Sequence, residues 1–247
     1  MSAGTFSVRR PFHISDWCEL PKDLDCDLLE AVERAVQREE LWSRLGEATR
    51  LFVGANTDSP DIGMHAELID VISAFSRLAN EWNDKGTVKG FVEALQATRT
   101  RSRNSSGPKL TDTRVKAVIA NDEAIRALWL KDAYILRSQF GHARVEALGY
   151  RPIWTEREHL LLAAVAFPLY TKAVLEQEGL YRMSERDMIM NRAFDDLALL
   201  EPFAQETDDE SSAWSTALSK VQIQALAERI EREFEAAEAE DVEDEAG

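Results

Sequence analysis

The chain has 247 residues, 45% hydrophobic and 30% charged, which is enough to bury a sizeable core as one large domain or two small ones. With only 11 Gly and 7 Pro it disfavours a turn-rich β architecture, and no window approaches 18 uncharged apolar residues, so no membrane span is expected. The net charge of −16 argues against a general affinity for nucleic acid, unless the charge is unevenly spread.

Residues 1–20 read as an N-terminal arm, with 5–14 extended or a short strand and Pro11 unsuited to a central strand. The arm lacks the apolar core of a signal peptide, so a cytoplasmic location is expected. Cys18, Cys26 and His13 match no common zinc spacing and have no fourth ligand nearby, so they read as ordinary thiols and an imidazole, with no metal or cofactor.

Residues 21–204 read as a helical domain. Leu28, Leu29, Val32, Val36, Leu41, Trp42, Leu45 and Leu51 keep helical spacing from about Asp25 to Phe52, before Gly54. Ser59-Pro60 opens a second helix, with Leu68, Ile69, Ile72, Phe75 and Leu78 as its core face, ending near Trp82. A third covers Val88 to about Thr98. The stretch from Arg99 to Pro108 is non-periodic and carries Arg99, Arg101 and Arg103 among small polar residues, with Lys109 following. Between Asp84 and Lys116 eight bases face three acids, a local +5. This region reads either as a solvated loop or as an arm that touches RNA phosphates.

Thr111 or Asp112 caps a helix reaching Ala147, with Asn121-Asp122 as the place where it would divide. Thr155-Glu-Arg-Glu158 is a capping box for a helix apolar nearly all round, hence central and buried, which Pro168 is expected to kink. His159 on it reads as a satisfied core histidine. Ser184 caps a helix through Leu200. Residues 205–247 comprise a polar linker, an amphipathic helix from Trp214 and an acidic tail; from Glu201 onward 15 acids face three bases, leaving −4 for residues 1–200. The whole reads as an all-α bundle of six to seven helices.

Chemistry concentrates at Arg137-Ser138-Gln139-Phe140-Gly141-His142, in the most strongly helical part of the chain. A guanidinium and an imidazole are two groups that metal-free phosphodiester cleavage needs: one binds charge on the phosphorane, the other moves protons near neutral pH. Five positions on an ideal helix amount to about 500°, so the two side chains start roughly 140° apart. One copy is a poor site, and two copies across a twofold axis would converge better. No P-loop, Gly-rich dinucleotide turn, Gly-x-Ser-x-Gly or His-Glu-x-x-His occurs to suggest another chemistry.

Arg-x4-His in a helical chain, with the phrase Leu136-Arg137-Ser138-x-x-x-His142, resembles the signature of HEPN domains and is most similar to their ApeA-like branch. Ser138 stands where HEPN enzymes usually carry Asn, Asp or His, and Ala74-Phe75 is followed by Ser76 and Arg77 near where the branch shows an acidic residue. The resemblance implies a HEPN-like bundle and a homodimeric, metal-independent endoribonuclease of toxin or phage-defence type. Arg137 and His142 would be catalytic, Ser138 would orient the imidazole, and a protein antitoxin or regulatory partner would be expected. The alternative is a non-catalytic HEPN-like module for dimerisation or partner binding.

Overall fold

The computed structural model describes residues 25–56, 63–81, 83–95, 107–141, 150–203 and 213–224, with positions 226, 227, 230 and 231 beyond them. Every regular element among these residues is helical, so the all-α class stands. The elements are α1 (Cys26–Ala35), α2 (Glu39–Ala55), α3 (Met64–Ala79), α4 (Asp84–Ala94), α5 (Thr113–Ala120), α6 (Ile125–Gly141), α7 (Glu156–Gln177) and α8 (Glu185–Leu199). A 3₁₀ turn at Pro108–Thr111 precedes α5, and residues 213–224 form a C-terminal helix.

The single helix expected from Asp25 to Phe52 is two, broken at residues 36–38. Tertiary contacts accompany the break. Arg34 Nη2 donates to the Leu180 carbonyl at 2.5 Å, and Arg38 Nη1 donates to the Glu178 carbonyl at 2.9 Å and pairs with its carboxylate at 3.0 Å. Cations are favoured at a helix C-terminus, where carbonyls lack partners, and here Arg34 in the last turn of α1 and Arg38 at the break serve the end of α7. The expected division of the next long helix falls at Asn121-Asp122, where Asp122 adopts φ 56°.

Both expected caps of the later helices are present in full. Thr155 accepts from the Glu158 backbone while Glu158 reaches back to the Thr155 N–H, and Ser184 and Asp187 repeat the arrangement at α8. α7 is long and apolar enough by length and composition to cross a bilayer, with a mean hydropathy of 1.3. Yet 67% of that window is buried among the other helices, as the apolar-all-round pattern foretold. Pro168 lies within one continuous helix with its ring exposed.

Five helices meet in an aromatic centre. Phe75 of α3 lies edge-on to Phe91 of α4 at 5.4 Å, Phe91 edge-on to Tyr170 of α7 at 5.2 Å, and Trp129 of α6 edge-on to Phe194 of α8 at 5.4 Å. Arg126, almost fully buried at the start of α6, donates to Asn191 Oδ1 and its carbonyl and pairs with Asp195, both on α8. Trp154 and Trp214 donate their indole N–H groups to the Ala198 and Leu197 carbonyls at 2.6 and 3.0 Å. Trp214 thereby seats the C-terminal helix in the same core. Gly107 is required beside them, because a Cβ there would lie 2.2 Å from the Leu199 carbonyl oxygen.

Candidate functional site

α6 carries Arg137 one turn after Tyr134, and the guanidinium carbon stands 5.7 Å from the centre of the Tyr134 ring. Arg137 is half-buried, and no carboxylate among the described residues forms an ion pair with it. A cation held on a ring face keeps its N–H donors for an incoming anion, whereas one tied to a carboxylate does not. Ser138 beside it is exposed. His142 lies outside the described residues, as do Arg99, Arg101 and Arg103.

The Tyr134 ring is itself fixed. Its hydroxyl donates to Thr87 Oγ1 of α4 at 2.9 Å and also meets Ser76 Oγ of α3. Thr87 passes its own proton to the Asn83 carbonyl at 2.9 Å, and Ser76 shares its one proton between the Ile72 carbonyl at 3.0 Å and the phenol oxygen. Three hydroxyls buried among α3, α4 and α6 thus form one hydrogen-bonded chain under Arg137. Ser76 is the residue that follows Ala74-Phe75.

A second polar cluster fastens α6 to the segment leading into α7. Asp132 accepts from His159 Nε2 at 3.0 Å, from the Ile153 backbone N–H at 3.1 Å, from the Trp154 N–H at 3.4 Å and from the Tyr150 hydroxyl. With Nε2 donating, His159 is the tautomer that carries its proton there, and Nδ1 is buried without a hydrogen bond. Arg114 of α5 covers the cluster: it packs over the Tyr150 ring at 5.3 Å and approaches Asp132 at 3.7 Å. Burial and the bond to Asp132 raise the Tyr150 phenol above its ordinary range. Arg114 binds Asp112 at 2.8 Å, which raises the guanidinium further and holds the Asp112 carboxyl below its usual value. His159 is therefore a satisfied core histidine on its Nε2 side. Asp132 is its partner.

The basic region supplies less free charge than its sequence suggested. Lys109 Nζ lies 2.8 and 3.0 Å from the two Glu158 oxygens, with both side chains nearly buried. It serves the capping box of α7. His65 of α3 meets Glu156 at 2.8 Å. Cys26 is exposed, and among the described residues no three His, Cys, Asp or Glu side chains gather as a metal site.

Sequence reasoning found Arg137 but not its supports. Tyr134 had a signal, standing three positions before the arginine on the same helix face. Thr87 had none, because only packing brings α4 beside α6.

Fold and site together define an all-helical bundle with a ring-supported arginine at the end of one core helix. Comparisons with protein-family models, with curated proteins and with solved structures found no match.

Proposed function

We propose that this protein is a HEPN-like, metal-independent endoribonuclease of toxin or phage-defence type, acting in the cytoplasm as a homodimer. The observation that supports it best is Arg137, held against Tyr134 on α6 with no described carboxylate consuming its charge. The RNA 2′-hydroxyl attacks the adjacent phosphate and the 5′-oxygen leaves, giving a 2′,3′-cyclic phosphate. Arg137 binds the charge growing on the phosphorane, and His142 transfers protons as general base or acid. Ser138, four residues before His142, orients the imidazole. The two copies of the motif converge across a twofold axis, so the dimer is part of the mechanism. Arg99, Arg101 and Arg103 steer RNA towards it.

Purified protein should cut RNA in excess EDTA, leave cyclic phosphates, and lose activity in Arg137→Ala and His142→Ala with thermal stability kept. Equal activity in the double variant and the wild type would overturn this reading.

One observation favours a second reading. α1 exposes Leu29, its C-cap exposes Val36, and α2 exposes Trp42 and Val53 on one face. A non-catalytic module that binds a protein antitoxin or another partner would use such surfaces, and it would leave RNA intact in the same assay.

A further inference from the structure

We propose that Tyr134 and Thr87, with Ser76 behind them, are positioning residues for Arg137: the buried hydroxyl chain sets the ring, and the ring sets the guanidinium. The inference rests on the ribonuclease reading and names the device that orients its arginine.

The directions of the hydrogen bonds carry the argument. A phenol has one proton, and Tyr134 donates it to Thr87 Oγ1 at 2.9 Å. Thr87 then donates to the Asn83 carbonyl at 2.9 Å. Asn83 is the N-cap of α4, and its side chain accepts from the Gly86 N–H at 2.8 Å. The chain therefore ends on a backbone that is itself fixed. At the other side the phenol oxygen accepts from Ser76 of α3, since its own proton is committed to Thr87. Two attachments from two helices hold the hydroxyl, so the long axis of the ring cannot swing without breaking them.

Arg137 is the only charged group standing over that ring among the described residues. Cation–π attraction depends on the cation lying over the ring face, so a swing of the ring axis carries the preferred seat of the guanidinium with it. A displacement of about 1 Å at a group that binds the transition state costs on the order of 100-fold in rate. A hydroxyl chain that served only to satisfy buried polar atoms would influence stability and leave the rate of the folded enzyme unchanged.

The test compares full-length wild type with Tyr134→Phe, Thr87→Val and Thr87→Ser, measuring kcat and KM on one RNA in EDTA beside Tm. Tyr134→Phe and Thr87→Val are expected to lower kcat about tenfold with KM within twofold, as for an interaction realised in the transition state. Thr87→Ser returns the hydroxyl and should restore kcat. If Thr87→Val fails to fold, Tyr134→Phe decides the matter, because it keeps the ring and needs no repacking. Wild-type kcat in a folded Tyr134→Phe enzyme, with only Tm lowered, would overturn the proposal and leave the ribonuclease reading standing. An inert wild type would overturn the ribonuclease reading and the proposal with it.

Discussion

His159 of α7 and Asp132 of α6 meet at 3.0 Å where neither side chain touches solvent. The same carboxylate receives two backbone N–H groups and the Tyr150 hydroxyl, so one side chain joins α6, α7 and the turn between Tyr150 and Trp154. That junction anchors the middle of α6, five residues before Arg137.

Asp132→Ala should therefore cost about 3–5 kcal/mol, since it leaves a buried imidazole N–H and two backbone donors unpaired. Chemical denaturation checks this. A loss under about 1 kcal/mol would show that the junction relaxes without it.

Trp214→Ala should cost about 3–5 kcal/mol, as expected for a fully buried indole. The indole seals the end of α8, where it also satisfies the Leu197 carbonyl. Truncation after residue 212 should lower Tm as well. Unchanged Tm in both variants would mean that the C-terminal helix is not part of the cooperative unit.

Acid should weaken the fold through named aspartates. Asp112 is held below the ordinary value of 3.8 chiefly by Arg114. At Asp25 burial pushes the carboxyl up, but Lys172, the Leu28 N–H and Tyr181 together outweigh it and the net shift is down. A lowered folded value means stability that is complete above the unfolded value and is lost as pH falls through the folded one. Denaturation midpoints should hold steady above about pH 5 and drop below pH 4. The part of that drop due to Asp112 should disappear in Asp112→Asn.

Alkali should act through tyrosines. Burial, first, raises Tyr150, Tyr170 and Tyr181 above the ordinary 10.0; Asp132 adds to it at Tyr150, and Asp187 and Asp25 at Tyr181. Raised folded values give stability that is complete below pH 10 and lost as pH climbs towards them. Phenolate absorbance for three of the four tyrosines should therefore appear together with the loss of helical circular dichroism. A smooth titration near pH 10 in folded protein would contradict the packing around them.

Much of the local structure was legible in the chain because it depends on neighbours in sequence. Thr155 with Glu158 and Ser184 with Asp187 are within three residues of one another, so the capping geometry is set before any tertiary contact forms. The burial of α7 followed from apolar residues on all its faces, and the all-α class from scarce Gly and Pro. Arg137 was visible because its residue type and spacing suggest phosphate chemistry. Its surroundings were not. The arginines at the α1–α2 break meet carbonyls 146 and 140 residues away, the Lys109 charge is taken by a carboxylate 49 residues on, and the phenol under Arg137 is bonded to Thr87, 47 residues before it. Periodicity reports which face of a helix is apolar, but not which neighbour that face meets. The partners of buried polar groups are decided only when helices pack, because water satisfies those groups equally well at any pairing until it is excluded.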